Sequence, residues 1–130
     1  MVFRIIEMQI TKIRKGIYMK NIHIFSESAA IGRRLRDILY QAGYAEIAVS
    51  DLSAISAERQ NEIIIIYAKS RIPEIIQNAA DSGCQTVLLL NPDCYALHLE
   101  RARHAGIRLL LMPVVPYLLL DSVREITAIS

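Results

Sequence analysis

Glu62-Ile63-Ile64-Ile65-Ile66-Tyr67 is the stretch whose reading decides the fold. Four consecutive β-branched residues favour an extended chain. Successive side chains of a strand point to opposite sides, so this run presents apolar groups on both faces. A strand apolar on both faces belongs inside a parallel sheet that is packed between helices. Val87-Leu88-Leu89-Leu90 repeats the pattern. Shorter apolar runs at Ile22, Ile24 and Phe25, at Ile47 to Val49 and at Leu109 to Leu111 complete a set of five.

The segments between these runs are amphipathic. After Phe25, the residues Ser26, Glu27 and Ser28 supply helix-start chemistry. Ile31, Leu35, Ile38 and Leu39 then recur at helical spacing, with Arg33, Arg34, Arg36 and Asp37 on the outer face. Gly43 is a helix stop. A weak helix is expected around Asp51–Arg59, another over Pro73–Ser82 ending at Gly83, and another from Asn91-Pro92-Asp93 to Ala105 and Gly106. The last starts near Pro116 and runs to about Ile126. Connections between these elements are short, as in compact α/β domains. Five βα units with right-handed crossovers predict an α/β, flavodoxin-like doubly wound sheet of five parallel strands in the order 2-1-3-4-5, with helices on both faces.

A chain of 130 residues holds one such domain. With 53% hydrophobic and 22% charged residues, it is not a disordered chain, a collagen or a disulfide-stapled miniprotein. The formal net charge of +2 is too small to argue for nucleic acid. The basic excess is also local: residues 1–20 hold Arg4, Lys12, Arg14, Lys15 and Lys20 against Glu7, and beyond them acidic side chains outnumber basic ones. Cys84 and Cys94 read as reduced thiols of a cytoplasmic protein. The apolar run from Leu109 to Leu120 is broken by Pro113 and Pro116 and is too short to span a bilayer, so no membrane partner is expected.

Residues 1–18 do not fit the βα plan. Met19-Lys20-Asn21-Ile22 looks like an ordinary start, and Arg14-Lys15-Gly16 can be encoded by a purine-rich stretch that resembles a bacterial ribosome-binding site. The hypothesis is that Met19 is the natural start, with residues 19–130 the domain. An N-terminal mass beginning at Met1 or Val2 contradicts it. In the competing reading, Ile5, Ile6, Ile10 and Ile13 give a basic extension an amphipathic face that packs on the domain or meets an acidic partner.

Five βα units with a polar cluster after the first strand and Met112-Pro113 after the fifth resemble the receiver (CheY-like) domains of bacterial two-component response regulators. The resemblance covers residues 20–128. It implies an acidic pair holding Mg²⁺ after the first strand, a phosphate-accepting Asp ending the third, Ser or Thr ending the fourth, and Lys followed by cis-Pro ending the fifth. Placed on this sequence, Ser26 and Glu27 fall at the acidic pair, Tyr67 at the acceptor, Asn91 at the Ser/Thr and Met112-Pro113 at the Lys-Pro. The aromatic switch position of the fifth strand falls on Leu109 or Leu110.

Aspartyl phosphorylation needs a carboxylate nucleophile, a divalent ion to neutralise the transferring group and a cation to hold the product. Tyr67 is not a carboxylate, Glu27 alone is a poor Mg²⁺ site, and Met112 carries no charge. The resemblance therefore implies a degenerate pseudo-receiver. It would have no catalytic residues, no cofactor and no metal, and would work through protein partners in signal transduction or transcriptional regulation.

Other candidates are weaker. Cys94 and His98 share a helix face, with His104 farther along, but zinc needs three or four ligands. His23 alternates with Ile22 and Ile24 and reads as a tolerated strand histidine. Arg33, Arg34, Arg36, Arg101, Arg103 and Arg108 are spread over several elements among acidic residues, which is the pattern of solvated helix faces. The C-terminal stretch is richer. Val114, Val115, Pro116, Tyr117, Leu118, Leu119 and Leu120 exceed what one buried helix face needs; either Leu109, Val114, Val115, Tyr117 and Leu118 form an interaction face, or the extra residues cover the sheet edge or pack against residues 1–18. The resemblance implies that a homodimer or another protein docks there, across the helix from Asn91, the fifth strand and the last helix. Two alternatives stand beside this reading. One is a small-molecule sensor using a pocket at Ser26, Glu27, Tyr67 and Asn91. The other is the receiver half of a longer antitermination or transcription regulator, since Ser130 closely follows the last predicted helix and no output domain is expected after it.

Overall fold

The computed structural model describes residues 21–55 and 62–129. The proposed extension 1–18 and its alternative start at Met19 lie outside them. Five strands, β1 (Asn21–Ser26), β2 (Ile47–Ser50), β3 (Glu62–Tyr67), β4 (Gln85–Leu90) and β5 (Arg108–Leu111), form one sheet in the order β2-β1-β3-β4-β5. Every pairing is parallel. Among the described residues four α-helices pack on the sheet: α1 (Ala29–Gln41), α2 (Ile72–Ser82), α3 (Pro92–His104) and α4 (Pro116–Ile129). This is the predicted flavodoxin-like order.

β3 is central. It pairs with β1 from Asn21↔Glu62 to Ser26↔Tyr67 and with β4 from Ile63↔Gln85 to Tyr67↔Leu89. Its alternating side chains feed two cores. Ile63, Ile65 and Tyr67 join Ile22, Ile24, Val87 and Leu89 against Leu35 and Leu39 of α1 and Leu119, Val123 and Ile126 of α4. Ile64 and Ile66 join Phe25, Leu88 and Leu90 against Ile72, Ile75 and Ile76 of α2 and Ala102 of α3. Each fully buried aliphatic side chain contributes about 1.5–3 kcal/mol of transfer free energy.

The start of α1 is fixed by side chains. Ser28 is extended and its Oγ accepts the Ile31 N–H at 3.2 Å, which satisfies one of the helix's orphan donors. The second turn carries Gly32 because a Cβ there would lie 3.1 Å from Val49 Cγ1 and 3.2 Å from Ser26 Cβ. At the end of α2, Gly83 takes φ +73, the left-handed conformation that terminates a helix without a Cβ penalty.

One predicted element takes a different form. Instead of a helix starting at Asp51, residues Leu52–Ala54 make a single 3₁₀ turn, and Ile55 is already extended at φ −66, ψ 134. Asp51 caps this turn by accepting the Ser53 N–H at 3.0 Å, a local bond that Asp offers in competition with regular helix. Residues 56–59 of the predicted helix lie outside the described residues. Among the described residues, no helix is long and apolar enough to cross a membrane.

Candidate functional site

The carboxyl ends of β1, β3 and β4 bring Ser26, Glu27, Tyr67 and Asn91 to one edge of the sheet. Ser26 is buried and turned toward its own chain: its hydroxyl donates to the Ser28 carbonyl at 2.6 Å and accepts the Ser28 N–H at 3.1 Å. Its side chain therefore builds the entry to α1.

Tyr67 is 4% exposed. Its ring belongs to the core under α1 and α4, and its hydroxyl donates to Asn91 Oδ1 at 3.3 Å. A buried phenol with a partner for its hydroxyl satisfies both the apolar and the polar part of the side chain. Asn91 is half-buried and sits at the N-cap of α3, whose first residue is Pro92. Met112 is buried in the same core as Tyr67, followed by a cis peptide to the exposed Pro113. No cationic side chain stands at that position.

Glu27 is exposed and reaches across to the loop after β3. Its carboxylate accepts the Lys69 N–H through Oε2 and the Ser70 hydroxyl at 2.9 Å through Oε1. Its own N–H donates to the Tyr67 carbonyl at 3.1 Å. The remaining acidic residue of this edge is thus engaged by protein donors. Among the described residues, no group of three or more His, Cys, Asp or Glu side chains could hold a metal ion.

A groove near this edge has a volume of about 400 Å³ and shares only Glu27 with the predicted pocket. It runs between Leu52–Ile55 and the start of α2, past Ser70, Arg71 and Glu74. Arg71 and Glu74 form a two-point ion pair on its wall, with contacts of 3.2 and 2.8 Å. This pairing holds the Glu74 carboxyl below its usual range and the Arg71 guanidinium above its own. Ser26 and Tyr67 are buried behind Glu27 instead of lining an opening.

The expected interaction face divides. Val115, Tyr117 and Leu118 are exposed, at 45%, 65% and 42%. Leu109 and Val114 are half-buried and pack inward, Leu109 on the core under α2 and α3 and Val114 on the core under α1 and α4. The reason is register: Leu109 pairs with Leu88 and Leu110 with Leu89, so alternate leucines of β5 serve opposite cores. Leu97 and Leu111 are exposed as well, and neither was singled out from the sequence. Leu97 was masked by the weak amphipathicity of its helix.

Partial burial, then the neighbouring Asp93 charge, push the Cys94 thiol above its usual range. His104 faces Glu100 at 3.8 Å and His98 is half-buried. His23 proves better connected than an alternating strand pattern can show. Its Nε2 shares a hydrogen bond of 2.8 Å with Ser50 Oγ, its Nδ1 lies 3.9 Å from Glu62 Oε1, and its ring stacks on Phe25.

No protein-family model matches the sequence, and no curated protein does. Solved structures do match in fold. A CheY-like response regulator from Mesorhizobium loti superposes with a TM-score of 0.62 at 15% identity, over 82% of this chain and 98% of that one. A protein described as pilus assembly-related from Burkholderia pseudomallei gives 0.68 at 20%, over 86% and 92%. An adenylate cyclase structure from Rhodopirellula baltica gives 0.64 at 13%, over 85% and 91%. The chain therefore has the CheY-like receiver fold. At these identities the likeness is one of fold.

Proposed function

We propose that the chain is a pseudo-receiver: a regulatory domain in two-component-type signalling or transcriptional control that acts through protein contacts without being phosphorylated and without being an enzyme. The observation that carries this reading is Tyr67. At the end of β3, where a receiver carries its acceptor carboxylate, a phenol is packed into the core and bonded to Asn91. Glu27 is engaged by the next loop and Met112 is buried in the core without a charge, which supports the absence of the ion site and of the cation from the positions where a receiver carries them.

Receiver-like neighbours of two kinds, a response regulator and a pilus assembly-related protein, support a regulatory role on this fold. The exposed apolar side chains Leu97, Leu111, Val115, Tyr117 and Leu118 support contact with a protein, a second copy included. Intact-mass measurement after incubation with acetyl phosphate and Mg²⁺ tests the proposal. The expected result is an unmodified chain. A phosphoryl adduct retained through native purification and mapped to the carboxyl edge overturns it.

A further inference from the structure

The sheet order makes the gap between β1 and β3 a topological switch point, because the chain leaves β1 toward β2 on one side and leaves β3 toward β4 on the other. Doubly wound sheets present their crevice at that place, outside the carboxyl ends of the strands. Here one residue spans it. Glu27 donates its N–H to the Tyr67 carbonyl and accepts, through its two carboxylate oxygens, the Lys69 N–H and the Ser70 hydroxyl. The donors lie 42 and 43 residues farther along the chain, so these bonds join two loops that nothing local in sequence brings together.

The loop so held has a second feature. Arg71, directly after Ser70, sits at φ 56, ψ 35, in the left-handed region, and as the N-cap of α2 its side chain makes no capping hydrogen bond. A non-glycine residue persists in that conformation only where its surroundings over-determine it. Helix α2 therefore begins from a strained residue without a side-chain cap, and Glu27 fixes the two residues in front of it.

We propose that Glu27 is an internal latch. Its carboxylate ties the loop after β1 to the loop after β3 across the switch point and holds residues 69–71 in the geometry from which α2 starts. When the carboxylate lets go of Lys69 and Ser70, the start of α2 loses that hold. The latch stands on this geometry alone and does not depend on which partner, if any, the apolar face meets.

Amide hydrogen exchange on the full chain tests it, comparing the natural sequence with Glu27→Ala and Ser70→Ala. The Lys69 amide is expected to be protected in the natural protein and to exchange about tenfold faster in Glu27→Ala, the loss of one charge-assisted hydrogen bond. In Ser70→Ala it exchanges about threefold faster, because the carboxylate loses its second anchor. Amides of Ile65 and Leu89 report that the sheet is intact. An unchanged Lys69 rate in Glu27→Ala with those core amides still protected overturns the proposal. Should Glu27→Ala not fold, an unchanged rate in Ser70→Ala overturns it equally.

Discussion

Tyr67 has two surroundings, an aliphatic core around its ring and the amide oxygen of Asn91 at its hydroxyl. The two can be separated by substitution. Tyr67→Phe keeps the ring and removes one hydrogen bond whose acceptor is half-buried and can turn to water, so it costs at most about 1 kcal/mol. Tyr67→Asp, which restores a carboxylate to the end of β3, removes the ring from the core and places a charge there without a cation. Its expected cost is about 3 kcal/mol or more, read as a lowered urea midpoint. Parity of the two variants would mean that the ring is not packed as described. The identity of Tyr67 at this place was legible in the sequence once the strand was located. The hydrogen bonds to the Glu27 carboxylate were not, because both donors lie more than forty residues away and are a backbone N–H and a hydroxyl that any sequence offers.

At the scale of elements, the continuous apolar runs of β3 and β4 located their strands because a parallel strand buried on both faces carries apolar residues at successive positions, and Ile22, Ile24 and Phe25 located β1. The helix that starts from Ser28 was equally legible. Its cap makes a prediction: Ser28→Ala removes the bond to the Ile31 N–H and costs about 1 kcal/mol, whereas Ser28→Asp keeps most of the stability. Chemical denaturation monitored by circular dichroism measures both, and a neutral Ser28→Ala contradicts the assignment of the cap. Less was legible around Asp51. Composition there favours helix only weakly, and the competing Asx bond to Ser53 decides for a 3₁₀ turn that ends at Ile55. In β5, Leu109 read as a surface residue because four-residue edge strands give too few positions to tell which alternate faces inward.

For the molecule as a whole, two cores on either side of one sheet account for the fold, and the exposed apolar side chains of α3, β5 and α4 lie outside both. Substituting one of them is expected to leave the fold untouched. Leu118→Glu is expected to alter the unfolding free energy by no more than about 0.5 kcal/mol. If the face pairs two copies, sedimentation velocity shows a concentration-dependent dimer in the natural protein and a monomer in Leu118→Glu; a dimer unaffected by the change places the contact elsewhere. The central claim, a receiver fold without receiver chemistry, is tested most directly by amide spectra recorded with Mg²⁺ and then with beryllofluoride, a mimic of an aspartyl phosphate. The account predicts unchanged positions for Ser26, Glu27, Tyr67 and Asn91 under both conditions. Saturable shifts of these four amides with beryllofluoride would contradict it and assign a working phosphoacceptor to the carboxyl edge.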